Sequence, residues 1–146
     1  MKQHTFRDAE FMTAREKELV LKAWVRFLRN GLRFGDFTRR LYEHLHLHCQ
    51  FIAHYHRAGF YQTYFEQGED IVRFLSQFDQ RGECPSVEYG MTSWREGDYG
   101  DLAQAMIEEA APYLPKLIAQ AQAREREADL GEAKRLLAKH GREFPS

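Results

Sequence analysis

Apolar residues recur every three to four positions along most of this chain, the period of α-helices that bury one face. Thr13 and Glu16 have the spacing of a capping box, so a helix is predicted from about Ala14 to Asn30, stopped by Gly31. Val20, Ala23, Trp24, Phe27 and Leu28 share one of its faces, and Arg15, Lys22, Arg26 and Arg29 gather on the other. Asp36 is placed to cap a second helix from Phe37, on which Leu41, Leu45, His48, Ile52 and Tyr55 form a stripe. Gly59 is expected to break or bend the chain before an aromatic knot of Phe60, Tyr61, Tyr64 and Phe65. A short helix over 69–78 follows, burying Ile71, Val72, Phe74, Leu75 and Phe78.

Residues 80–100 carry four glycines and a proline without sustained periodicity, and read as one long irregular loop. Asp101 with Gln104 is expected to cap the next helix, which closes near Pro112. Pro115 opens a last helix with Leu117, Ile118 and Ala121 as its apolar stripe. Its continuation over 124–146 is highly charged. That tail is predicted to be peripheral, with Leu130, Leu136 and Leu137 left to dock back on the body or to pair with a second chain. The sum is an all-α, single-domain bundle of about five helices.

Composition agrees with that class. Of 146 residues 43% are apolar and 14% aromatic, ample for one core without disulfides, and mean hydropathy is −0.65. No apolar run is long enough to span a bilayer and the N-terminus lacks a signal-peptide pattern, so a cytoplasmic protein without membrane contact is expected. Cys49 and Cys84 form no CxxC pair and read as free thiols. Charge is unevenly spread. Residues 1–60 hold eleven Lys or Arg against six acids, and residues 61–146 ten against sixteen, so +5 faces −6 along the sequence.

The run LYEHLHLHCQFIAHYH, from Leu41 to His56, holds five of the seven histidines. Read as a strand it would alternate imidazoles on one face, but its Leu, Glu, Gln and Ala content favours one continuous helix. On that helix His44 and His48 stand at i, i+4 and present two ligands for Zn or Fe. A third would come from His56, from Cys49, or from an acid such as Glu66, Asp70 or Asp98. His46 and His54 project elsewhere. The competing reading makes His48 a core residue and the others solvated.

Two further surfaces qualify as candidates. Lys22, Arg26 and Arg29 on the first helix offer a phosphate-gripping face for nucleic acid, although a pI near 6.7 and the lack of a known nucleic-acid signature weigh against it. Tyr55, Tyr61 and Tyr64 can line an aromatic pocket, and Trp94 with Tyr99 marks the loop as a lid or partner-binding segment. No nucleophile–base pair or phosphate loop is present, so enzymatic chemistry finds little support. The reading favoured by the residues is a small non-enzymatic binding or regulatory module working through protein contacts or self-association. A metal-binding helix and Arg-mediated nucleic-acid binding are the alternatives.

Overall fold

The computed structural model describes residues 3–49, 56–81 and 97–140, with side chains at 3–46, 56–76 and 97–140. Six α-helices and no strand occur among the described residues: α1 (Ala14–Arg29), α2 (Arg39–Cys49), α3 (Arg57–Tyr64), α4 (Gly68–Arg81), α5 (Gly100–Ala110) and α6 (Leu114–His140). The expected all-α bundle is what forms.

The predicted start of α1 holds, since Thr13 Oγ1 accepts from the Glu16 amide at 3.2 Å. Its end is a Schellman turn. Leu32 N–H donates to Phe27 O at 2.9 Å and Gly31 N–H to Leu28 O at 3.1 Å, with Gly31 at φ +82° and Leu32 at φ +63°. A leucine in that left-handed region is strained, and two contacts hold it there. Its side chain is buried, and its carbonyl accepts the Tyr61 hydroxyl at 2.7 Å.

Three sequence expectations fail at helix boundaries, each for a local reason. Asp36 does not cap α2: it sits in a 3₁₀ turn (Phe34–Asp36), buried, holding Arg26 at 3.2 Å and Asn30 at 3.1 Å. Thr38 caps α2 instead, its Oγ1 accepting from the Leu41 amide. Asp101 does not cap α5 either, because it lies inside the helix and is held by Lys17, while Gln104 donates to Glu108. Nor does Gly59 break the chain. It is the third residue of α3, where His56, extended at φ −141°, accepts the Gly59 amide on Nδ1 at 2.9 Å. A Cβ on Gly59 would stand 2.8 Å from the His56 ring, so glycine is what lets this imidazole act as the cap. The histidine run is therefore divided: His44 belongs to α2, and His56 starts α3.

The core is aromatic. Phe27, Phe37, Phe60, Phe65 and Phe74 form a continuous set of ring contacts, including Phe27–Phe65 at 5.0 Å and Phe65–Phe74 at 4.8 Å, with centroids in the favourable range. Trp24, fully buried, donates from Nε1 to Met106 O at 3.0 Å and so fixes α1 against α5. An N-terminal strap completes the closure. His4 Nε2 lies 2.8 Å from Glu109 Oε1, Phe6 is buried, and the Arg7 amide donates to Asp101 at 2.9 Å, so the strap runs antiparallel to α5. On the other side α4 packs along α6, with Gly68 directly against the Ala121 backbone.

The expected loop shrinks at both ends. α4 runs to Arg81, and a 3₁₀ turn (Gly97–Tyr99) leads into α5. Among the described residues no helix is long and apolar enough to cross a membrane.

Candidate functional site

Of the histidines proposed as ligands, His44 and His48 lie on α2 and His56 caps α3. His44 is buried at 2% exposure with its ring 5.9 Å from Tyr99, edge to face, so two candidates drawn from different sequence signals meet. This corrects the expectation that His44 is solvated. His46, also expected in solvent, is half-buried 5.4 Å from the Tyr42 ring. His56 spends Nδ1 on the Gly59 amide, one helix away from His44. The side chains of His48 and Cys49, and residues Ile52, His54, Tyr55, Cys84 and Trp94, lie outside the described residues. Among the described residues no three His, Cys, Asp or Glu side chains converge as a metal site.

Of the pocket tyrosines, Tyr64 belongs to the core and Tyr61 packs against it. Tyr64 is buried against Phe60 at 4.8 Å and Phe74 at 5.5 Å, and Tyr61 packs on Phe34 at 5.1 Å while donating to Leu32. Burial pushes both phenols above their ordinary pKa.

On α1, Lys22, Arg26 and Arg29 are exposed as the helical wheel predicts. Asp36 alters that surface, because its carboxylate takes Arg26 at 3.2 Å and stands 3.7 Å from Arg33. A buried acid in the middle of the basic face weakens its attraction for phosphate.

Arg39, Tyr42, His56 and Arg57 line a cavity of about 230 Å³ whose donors could meet a small anion. Both cations are already engaged. Arg39 pairs with Glu43 at 2.9 Å, and Arg57 donates to Phe37 O at 2.9 Å with its guanidinium 4.5 Å above the Phe34 ring.

One polar cluster escaped the sequence reading. Lys17 is 1% exposed, and its Nζ donates to Asp98 O at 2.7 Å and Asp101 Oδ1 at 2.8 Å. Asp101 also accepts from the amides of Arg7 and Leu102, so strap, α1 and the start of α5 meet on one carboxylate. Burial is the largest influence on that carboxyl and pushes its pKa up. The Lys17 hydrogen bond, the two amide bonds and the Lys17 charge together outweigh it and hold the pKa below 3.8. The missed signal was Lys17 lying three and seven residues before Val20 and Trp24, on the apolar stripe rather than opposite it.

The most exposed feature is α6. Leu114, Leu117 and Ala121 are its buried residues, and from Arg126 to His140 every residue is exposed. At 1.5 Å per residue the span after Ala121 projects about 28 Å. Leu130 lies nine residues beyond Ala121, half a turn round the axis, and Leu137 follows seven later on the same line. These two leucines, 61% and 73% exposed, therefore face away from the side by which α6 is docked. At the base of the projection is a groove of about 660 Å³. Glu66, Glu69, Asp70, Glu125, Glu127 and Asp129 line it, with Arg124 donating to Glu66 O at 3.0 Å.

The chain matches no protein-family model, no curated protein and no solved structure at a significant level.

Proposed function

We propose that this chain is a small helical module that works through protein contacts, and that its contact element is the projecting part of α6. The observation that carries the reading is the line of Leu130 and Leu137, exposed on the helix face opposite the one used for docking. A helix needs one apolar face to join its own body; a second, on the reverse side, contributes nothing to that fold and leaves apolar area in water. The divided charge noted in the sequence supports the same reading, since the groove at the base of α6 is acidic.

The basic face of α1 is a weaker contact surface, because Asp36 counters Arg26 and Arg33. Photo-crosslinking in cells tests the proposal. A photoreactive residue at position 130 or 137 is expected to give discrete protein adducts, and one at position 139, exposed on the opposite side of the helix and outside the groove, none. Absence of adducts from both leucine positions would remove α6 as a contact element.

A further inference from the structure

The charge along the projecting half of α6 is graded. Between Arg124 and Asp129 three carboxylates stand against two guanidiniums, while between Gly131 and His140 three cations stand against Glu132 alone. Glu66, Glu69 and Asp70 of the neighbouring groove add negative charge at the same end. The helix is thus acidic at its base and basic at its tip. Leu130 and Leu137 are one heptad apart with Ala133 between them, and Glu127 and Lys134, also a heptad apart, border that stripe along one edge.

We infer that the occupant of this stripe is a second copy of the chain, its α6 lying antiparallel to the first. This rests on the reading of α6 as the contact element. In the antiparallel register that seats Leu130 against Ala133 of the second copy, Leu137 lies along the aliphatic stem of the second copy's Arg126. Glu127 of each copy then stands beside Lys134 of the other. Two-fold symmetry forms that ion pair twice. The parallel arrangement sets Arg126 against Arg126, acidic base against acidic base and tip against tip; it gives Lys134 only Asp129 as a partner and leaves Glu127 opposite the uncharged Gln122, so a charge change at Glu127 weakens the antiparallel pair alone. Docked faces point away from the stripe, so each tip reaches the other copy's Ala123 without meeting its body. The seam is short, and a Kd of about 10–100 µM fits its length.

Charge exchange in the full chain tests this by sedimentation across that concentration range. Glu127→Lys and Lys134→Glu each turn two attractive pairs into two repulsive ones, and each is expected to weaken the dimer roughly tenfold. Mixing the two variants, or combining both changes in one chain, restores attraction at every pair and is expected to restore dimerisation. Both positions are exposed, and unchanged circular dichroism verifies the fold. A monomer at all concentrations, or no rescue on mixing, overturns the inference. If the wild-type chain stays monomeric while position 137 crosslinks to a different protein, only the identity of the occupant is wrong. If there are no adducts at all, the contact-element reading falls with it.

Discussion

At the scale of single residues, the Lys17–Asp101 contact is the most consequential, because its two members differ in exposure. Replacing Asp101 by Ala leaves a buried ammonium without its counter-charge, whereas Lys17→Met leaves a carboxylate that is 21% exposed and still holds two amides. Urea unfolding is therefore expected to show a loss of about 3 kcal/mol for Asp101→Ala and a smaller one for Lys17→Met. The pair also has a pH signature. A carboxyl whose folded pKa is depressed stabilises above its unfolded pKa and loses that contribution as pH falls through the folded value. The stability gap between wild type and Asp101→Asn should thus be full at neutral pH and close below pH 3.8. Gly59 supplies a second prediction. Alanine is preferred to glycine in a helix by about 1 kcal/mol, but here a Cβ would displace the His56 cap. Gly59→Ala should stabilise a His56→Ser background and not the wild type, as compared by thermal unfolding.

At the scale of elements, α4 and α6 meet so closely at Gly68 that a Cβ there would collide with the Ala121 backbone, which cannot swing aside as a side chain can. Gly68→Ala is expected to force the helices apart and cost about 1–3 kcal/mol, read as a lower urea midpoint. Elements were also the level at which the sequence was most legible. The apolar period located α1, α4, α5 and α6, and the wheel assigned the faces of α1 correctly from Val20 to Leu28. Boundaries were harder, because the groups that set them act across the chain. Asp36 looked like a cap until Arg26 and Asn30 claimed it, and Asp101 until Lys17 did. His56 was a cap that residue type concealed, since imidazole is not among the usual capping side chains. Candidate sites were less legible still. A histidine count carries no information on which rings share a helix, and the leucines of the α6 tail stood out in the sequence without revealing whether they dock on the body or face solvent, which the course of α6 decides.

For the molecule as a whole, the closing of the N-terminal strap and α1 onto α5 is the governing feature. Removing residues 1–9 takes away the buried Phe6, the His4–Glu109 contact and one of the amides on Asp101, and is expected to lower stability by roughly 2–3 kcal/mol in chemical denaturation. An unchanged midpoint would show the strap to be dispensable. The same arrangement orders events during synthesis. Trp24 must wait for Met106, 82 residues later, and His4 for Glu109, 105 residues later. At ribosomal speeds of about 5–20 residues per second, the nascent first helix spends roughly 4–16 s without its partner α5. A chain whose earliest segment is finished last needs that segment shielded while translation proceeds, and its folding yield should fall when elongation slows.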